Sequence, residues 1–266
     1  MVPDLLVQDV MNRNHPSIYA DDLATKARAI LRDTGFRVLP VVDEHKRLLG
    51  IITRNNVMII SSSVSTVRVQ GIMSQVRYTV TLDMDSVQAA RGMMRLDEWY
   101  APVLKSIRDN TYVGMFGLEH VIKAFYERKV AWLSTPLSEV MSTGQLVLCS
   151  PDDEADNVWK MMQKRSFAAC PVVFKGKPVG IVTQQNMLES GAMFPEFEAK
   201  KGRFKAPSKI STIMKTPVAS LRPNSTIGDA AKIMLEKDIG RVPIVDAKGL
   251  LIGIVDREDI LKPLMR

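Results

Sequence analysis

One stretch near the end of the chain decides the fold: RVPIVDAKGLLIGIVDREDI, residues 241–260. Its first part, Arg241–Val245, is a short apolar run around a proline and predicts a buried strand. The next four residues, 246–249, have the composition of a tight turn. Leu250–Val255 predicts a second strand, and the polar residues from Asp256 onward predict the start of a helix. The stretch therefore predicts a β-hairpin followed by a helix.

The segment before this hairpin predicts an amphipathic helix. Thr226 and Asp229 have the spacing of a capping box at a helix start. Apolar residues then recur with the period of an α-helix, at Ile227, Ala230, Ala231 and Met234.

The same order of features occurs four times along the chain. Each copy has a methionine near its start, a proline inside an apolar run, and a glycine followed by two apolar residues. The four copies are Met11, Pro40 and Gly50; Met73, Pro102 and Gly114; Met141, Pro171 and Gly180; Met214, Pro243 and Gly253. The distance from Met to Pro is 29 or 30 residues in every copy. Such near-constant offsets predict four structural repeats, and because one repeat cannot bury its apolar face alone, we expect pairs or a stack.

Each repeat is expected to have the order β-α-β-β-α. The repeats are predicted at about 5–62, 67–128, 136–190 and 208–266, grouped into two domains at 1–133 and 134–266. In the first three repeats the predicted strands are Val38–Val42, Leu48–Thr53, Ala101–Leu104, Tyr112–Phe116, Ala169–Phe174 and Pro178–Thr183. The predicted buried helix stripes are Leu23, Ala27, Ile30 and Leu31; Val87, Ala90 and Met94; and Ala155, Val158, Trp159 and Met162.

The composition limits the cellular location and the binding partners that we expect for the protein. No apolar run reaches the ~18 residues needed to cross a membrane, and the first residues carry no basic segment typical of a signal peptide, so we expect a cytoplasmic protein without membrane insertion. Cys149 and Cys170 are the two cysteines. They are expected to be free buried thiols of a reducing compartment, the alternative being that they meet on neighbouring strands. The net charge of +7 favours anionic partners such as nucleotides, RNA, DNA or a membrane surface.

At this point the residues resemble a known family, the CBS (cystathionine β-synthase) domain. The resemblance rests on VLPVVD at 38–43 with GIITRNN at 50–56, and most closely on RVPIVD at 241–246 with GIVDREDIL at 253–261. It implies an α/β fold of four tandem CBS repeats packed as two pairs in a flat disc. It also implies clefts that hold adenosine-containing ligands (AMP, ADP, ATP or S-adenosylmethionine), no required cofactor, and a regulatory role; a homodimer is compatible with it.

The family's ligand motif is Gly, two apolar residues, Ser or Thr, two variable residues and Asp. The resemblance therefore assigns ligand-binding roles to Thr53 and Asn56 in the first repeat and to Thr183 and Asn186 in the third. Asparagine replaces the aspartate in both, so ribose binding should be weaker because the hydrogen bond loses charge assistance. In the second repeat Gly117 and His120 occupy these positions, and that cleft is expected to be empty or structural.

The fourth repeat keeps Asp259 at the ribose position but has Asp256 where the hydroxyl belongs. A carboxylate there repels phosphate, which Arg241, Arg257 or Lys262 could offset. We therefore expect the Asp259 cleft to be the best adenosine site, suited to AMP or S-adenosylmethionine and poor for triphosphates. The alternative is that these residues, and the two threonines, only cap helix starts.

The remaining candidate residues indicate a functional role less strongly. Arg37 and Arg241 precede a strand proline by three and two residues, so on regular strands they are not expected to face one cleft together. The histidines, His15, His45 and His120, lie far apart in the repeat and lack metal-ligand spacing. The chain has no phosphate-binding loop, nucleophile elbow or dinucleotide fingerprint, so we do not expect an enzyme.

A basic segment between the third and fourth repeats suggests a second class of function. Its cations are Lys200, Lys201, Arg203, Lys205 and Lys209, with three phenylalanines interleaved. Cations contact phosphates and aromatic rings stack on unpaired bases, so RNA or a ribosomal particle is an alternative partner. A solvated loop packed on the domain is the simpler interpretation. A third alternative is an adaptor for a separate protein partner, which nothing in the chain identifies.

Overall fold

The computed structural model describes residues 5–60, 64–144, 146–165, 167–191 and 208–265. Within these ranges the helices are α1 Val7–Val10, α2 Ala24–Thr34, α3 Arg54–Met58, α4 Ser86–Arg95, α5 Leu118–Glu127, α6 Ala155–Lys164, α7 Gln184–Ser190, α8 Ile227–Lys237 and α9 Arg257–Leu261. The strands are β1 Ile18–Tyr19, β2 Val38–Val42, β3 Leu48–Thr53, β4 Val80–Thr81, β5 Tyr100–Ser106, β6 Asp109–Gly117, β7 Ala169–Phe174, β8 Lys177–Thr183, β9 Arg241–Val245 and β10 Leu251–Asp256.

The predicted order β-α-β-β-α is confirmed in the first two repeats. In each, a two-residue strand pairs in parallel with the first hairpin strand, giving the sheets β1-β2-β3 and β4-β5-β6. In the third and fourth repeats the hairpins β7-β8 and β9-β10 form two-stranded sheets. There the parallel strand is reduced to single bridges, Cys149 to Val172 and Leu221 to Ile244.

Most predicted boundaries agree with the structure. The strands β2, β3, β7 and β9 have the predicted bounds, whereas β5 and β6 are longer at both ends. One stripe residue was predicted wrongly, since Leu23 precedes α2 and is exposed. Met94 of α4 is half-buried and packs against the core, and its neighbour Met93 is fully buried. The capping box of α8 is confirmed, since Thr226 Oγ1 accepts from the Asp229 backbone N–H at 3.1 Å and Asp229 Oδ2 accepts from the Thr226 N–H at 2.8 Å.

The recurring Met and Gly of the sequence meet across repeats. The segment after Met11 pairs with β6 through the backbone of Asn12 and Met115, at 2.8 and 2.9 Å. Equivalent pairs of backbone hydrogen bonds join Ile51 to Ser74, Ser142 to Ile254 and Ile181 to Lys215. Each starting segment thus crosses to its partner repeat, where its Met covers the partner's strand glycine: Met11 on Gly114, Met73 on Gly50, Met141 on Gly253 and Met214 on Gly180. The first repeat is therefore paired with the second, and the third with the fourth.

Helices join the two pairs. In one core, α5 of the second repeat packs against α8 and α9 of the fourth. In the other half, α2 and α3 of the first repeat pack against α7 of the third, where Leu188 enters the core of the first repeat. The predicted domain boundary at 133/134 falls inside a 3-10 helix, Ala131–Ser134, that contacts α8; this division stays a prediction.

The structure agrees with both interpretations of the cysteines, as buried free thiols and as residues that meet on neighbouring segments. Cys149 and Cys170 are free and buried, and they also lie on adjacent parallel segments, where both thiols approach the carbonyl oxygen of Pro171 at 3.7 and 3.6 Å. Among the helices that the structure describes, none has both the length and the apolar character that crossing a membrane requires.

Candidate functional site

The predicted ligand residues of the first and third repeats form capping boxes at helix starts. Asn56 Oδ1 accepts hydrogen bonds from the N–H and hydroxyl of Thr53, at 2.8 and 2.7 Å. Asn186 Oδ1 does the same for Thr183, at 3.1 and 2.9 Å. The Asn56 amide also donates to Ser74 Oγ at 3.0 Å. These oxygens are therefore already satisfied within the protein.

The two aspartates of the fourth repeat also cap a helix. Asp256 Oδ1 accepts from the N–H groups of Glu258 and Asp259, and Asp259 Oδ2 accepts from the N–H of Asp256 at 2.9 Å. Asp259 is only 4% exposed and its Oδ1 pairs with Lys262 Nζ at 2.5 Å. Burial and the charge of Asp256 both raise the pKa of Asp259. Its carboxylate thus has protein partners for both oxygens.

The structure contains a central cavity of about 420 Å³ at the junction of the four repeats. We define the central cavity by its lining from the first repeat (Arg32 to Gly35, Arg37 and Arg54), the second repeat (Trp99), the third repeat (Ala168, Ala169, Ile181, Thr183, Gln185, Asn186 and Glu189) and the fourth repeat (Lys215, Lys237 to Arg241). Of the two Thr–Asn pairs predicted from sequence, the one in the third repeat lines it. Asn56 and Asp259 do not.

A second cavity, of about 360 Å³, lies beside the central one and has a more acidic lining. Thr53, Asp256 and Glu258 line this acidic cavity, together with Asp97 and Glu98. Burial, and to a smaller extent the charge of Asp256, raise the pKa of Glu258 to about 7. The fourth repeat therefore contributes the carboxyl groups of Asp256 and Glu258 as well as the Arg241 guanidinium to this cavity, and the expected repulsion of phosphate by Asp256 stays a prediction.

Arg37 and Arg241 line both the central and the acidic cavity. The expectation that they cannot face one cleft was wrong. Arg37 lies just before β2, outside the regular strand, and the two side chains come from different repeats that meet at the junction, so strand alternation does not relate them. The Arg241 guanidinium stacks 4.2 Å from the Phe167 ring centroid and donates to the Ala169 carbonyl oxygen at 3.0 Å.

Sequence reasoning missed the network around Arg257, the first residue of α9. Its side chain is 2% exposed and donates to Tyr100 Oη at 2.9 Å, Glu119 Oε2 at 3.2 Å and Asp238 Oδ1 at 3.3 Å. Arg37 reaches the same Tyr100 hydroxyl at 2.7 Å. The network joins the first, second and fourth repeats, which no pattern within a single repeat could indicate.

The histidines are closer than their places in the repeat suggested. His15 and His120 line one small cavity of about 120 Å³ because the start of the first repeat crosses onto the second. Burial lowers the pKa of both. His120 Nδ1 accepts from the Gly117 N–H at 3.0 Å, the capping role that Asn or Asp has in the other repeats. Within the described ranges, no group of three His, Cys, Asp or Glu side chains is placed to hold a metal ion.

The basic segment lies almost wholly outside the described residues. Lys200, Lys201, Arg203 and Lys205 belong to the part that the structure does not describe. Lys209 is described, is exposed, and pairs with Asp152 at 3.3 Å. The alternatives of RNA or ribosome binding, and of a protein adaptor, stay predictions; binding to ribosomal RNA across a salt series would test the first.

Comparisons with known proteins agree with the architecture. The CBS domain family model matches residues 7–62, 137–192 and 210–266, so the chain belongs to the CBS domain family. The second repeat, which departs most from the ligand motif, lies outside these ranges.

Some of the similar proteins extend over nearly the whole chain. Uncharacterized protein MJ1404 of Methanocaldococcus jannaschii is 26% identical over 265 residues, covering 96% of this chain and 61% of its own length. Protein MJ1225 of the same organism is 23% identical, with coverage of 94% and 95%. The crystal structure of MJ1225 superposes with a TM-score of 0.84 at 20% identity, over 97% of this chain and 99% of that one. An uncharacterized conserved protein from Pyrococcus horikoshii gives 0.67 at 20% identity, over 98% and 100%. The predicted disc of four repeats in two pairs is thus confirmed.

Proposed function

We propose that this chain is a regulatory, non-catalytic module that binds an adenosine-containing ligand in the central cavity and transmits its occupancy to a partner. One observation carries the proposal: a single cavity brings the Thr183–Asn186 motif of the third repeat together with arginines of the first and fourth repeats. The family resemblance gives that motif a ligand-binding role, and the cavity supplies the space it needs.

The lining suits the parts of such a ligand. Ala168, Ala169 and Ile181 give an apolar wall against which a purine packs. The Asn186 amide nitrogen makes none of the hydrogen bonds found among the described residues, whereas its Oδ1 is used in the capping box. This amide can therefore donate to a ribose oxygen without disturbing the cap.

Transmission follows from where the cavity lies. Its walls belong to both CBS pairs, so a bound ligand stabilises the arrangement that holds the two pairs together, by RT ln(1 + [L]/Kd). A partner senses occupancy only when it binds the two arrangements with different affinity. A cytoplasmic location is also part of the proposal.

Two asparagines provide a matched test. Asn186→Ala and Asn56→Ala remove the same capping interaction, but only Asn186 lines the central cavity. Both variants should lose unliganded stability, and Asn56→Ala also loses the hydrogen bond to Ser74 Oγ. In thermal-shift titrations with AMP, ATP and S-adenosylmethionine, Asn186→Ala should lose the ligand-induced shift and Asn56→Ala should keep it.

A third variant tests the fourth-repeat cleft. If Asp259→Asn abolishes the ligand-induced shift and Asn186→Ala leaves it intact, the ligand binds at the fourth repeat and the proposal for the central cavity is wrong.

A further inference from the structure

The two CBS pairs meet at two edges of the disc, and the edges are built differently. At the second–fourth edge, α5 of the second repeat packs against α8 and α9 of the fourth. At the first–third edge, α2 and α3 of the first repeat pack against α7 of the third. Within each pair, backbone hydrogen bonds between the crossing segments join the two repeats, so each pair is expected to move as one body.

At the second–fourth edge, one hydrophobic core continues from one pair into the other. It contains Phe116 and Phe125 of the second repeat together with Ile227, Met234 and Leu261 of the fourth, all of them buried. Separating the pairs here would expose this shared apolar surface to water, at a cost that grows with its area. This edge is therefore expected to stay closed in the folded chain.

A buried ion pair strengthens the same edge. Arg257 of α9 is 2% exposed and lies 3.2 Å from Glu119 Oε2 of α5. Trp99 Nε1 of the second repeat also donates to Glu258 Oε1 of α9 at 2.8 Å. Hydrogen bonds to charged groups of this kind are stronger than bonds between neutral groups.

The chain itself also ties the two pairs together at the second–fourth edge. It passes from the first pair to the second through residues 128–136, directly after α5. Within this connection the Trp132 ring packs edge-on against Phe125 of α5, with centroids 5.0 Å apart. The Thr135 carbonyl oxygen accepts from the Ile227 N–H, at the start of α8, at 2.9 Å. The covalent link is thus anchored on helices of both repeats.

At the first–third edge, the described residues form two separate cores, one in each repeat. Leu188 of α7 crosses from the third repeat into the core of the first. Met58 of α3 is partly buried and packs against both cores. The apolar contact across this edge therefore depends on a few side chains and not on a continuous core.

The side-chain hydrogen bonds described across the first–third edge come from two neutral amides. Gln184 Nε2 donates to Asn55 Oδ1 at 3.2 Å, and Gln185 Nε2 donates to the Arg32 carbonyl oxygen at 2.7 Å. Bonds between neutral groups contribute little net stability, because water replaces them when the edge opens. This edge should therefore separate at a lower cost than the second–fourth edge.

From this asymmetry we infer that the disc opens at the first–third edge and pivots about the second–fourth edge, so that the two CBS pairs move like the halves of a clamshell. Arg32 and Gly35 at the end of α2 line the central cavity from one side of the opening edge, and Gln185 and Glu189 of α7 line it from the other. Opening therefore widens the central cavity. The inference concerns the unliganded chain and does not depend on the proposed ligand.

Distances between spin labels, measured by pulsed electron paramagnetic resonance on the full chain, test the inference. Lys26 on α2 and Lys160 on α6 report on the first and third repeats, and Lys123 on α5 and Lys232 on α8 report on the second and fourth. All four are exposed lysines, by 55% to 67%, and each has a surface carboxylate four residues away. The two double variants are Lys26→Cys with Lys160→Cys and Lys123→Cys with Lys232→Cys. The unsubstituted chain, whose own cysteines are buried, is the labelling control.

Two core substitutions provide the matched perturbation. Leu188→Ala removes the side chain that crosses the first–third edge, whereas Met187→Ala removes its neighbour, which is fully buried in the core of the third repeat itself. Leu188→Ala should raise the population with a longer 26–160 distance by about tenfold, because a truncated buried leucine weakens that contact. The 123–232 distance should stay unchanged, and Met187→Ala should change neither distance.

Mild urea keeps the test decisive if circular dichroism shows that Leu188→Ala does not fold. Below the unfolding transition of the otherwise unsubstituted chain, the 26–160 distance should lengthen before the 123–232 distance does. Three results would overturn the inference: an unchanged 26–160 distance in folded Leu188→Ala, an equal lengthening of both distances in Leu188→Ala, or simultaneous lengthening of both in urea.

Discussion

The reciprocal packing of Met on Gly predicts that Gly114→Ala strongly destabilises the chain. Gly114 lies on β6 with φ of +154°, a conformation that residues with a side chain rarely adopt. A Cβ at this position would lie 2.7 Å from the Asn12 carbonyl oxygen and 3.2 Å from Arg13 Cα, and it would overlap the Met11 side chain. Because two of these neighbours are backbone atoms, a rotamer change of Met11 cannot relieve the contact.

The magnitude follows from two costs. The backbone strain of a non-glycine residue in this region is about 1–3 kcal/mol. Overpacking against the crossing segment adds about 1–3 kcal/mol. A conservative total of about 3 kcal/mol corresponds to a fall in Tm of about 6–12 °C for a chain of this size.

Thermal unfolding followed by circular dichroism measures this directly. Gly144→Ala is the matched control, because a Cβ there meets no atom within 4 Å among the described residues. Its stability should stay within about 0.5 kcal/mol of wild type. If Gly114→Ala and Gly144→Ala unfold at the same temperature, the starting segment of the first repeat does not pack on β6 as described.

Three further predictions concern titratable and buried groups. Burial raises the pKa of Glu258 to about 7 from an ordinary 4.5. Its favourable contribution to the free energy of unfolding is therefore present below about pH 4.5 and is lost as the pH rises through 7. Glu258→Gln should flatten that part of a Tm–pH profile, and an unchanged profile would contradict this reasoning. Cys149 and Cys170 are buried, and the hydrogen bond with Cys170, and then burial, raise the pKa of Cys149. Because a buried thiol is shielded from the reagent, both should react with a disulfide reagent at pH 8 only after unfolding; rapid reaction of the native chain would refute this. Arg257→Met leaves the Glu119 carboxylate without its guanidinium and should cost about 2 kcal/mol or more in urea unfolding, whereas a neutral result would show that the pair contributes nothing.

Most of what the sequence predicts about the fold comes from the repeat pattern. The spacing from Pro40 to Gly50 and its equivalents corresponds to hairpins in which each proline lies opposite the residue after the glycine, as Pro40 does opposite Ile51. Local patterns therefore predicted the strands well. They failed at the ends of elements, as for Leu23, which has helical spacing but precedes the helix.

The candidate site was predictable only in part. The Thr183–Asn186 motif could be found because it is local. The capping roles of Asp256 and Asp259 were recognised as an alternative, and the structure shows that these roles are real. The joint presence of Arg37, Arg54 and Arg241 at one cavity could not be predicted, since it arises from the packing of two pairs and has no counterpart within one repeat.

A crystal structure of the chain grown with ATP tests the account most directly. We expect the purine against Ala169 and Ile181 and the ribose beside Asn186. Density for the nucleotide in the fourth-repeat cleft beside Asp259, or an empty central cavity at saturating ATP, would contradict the account.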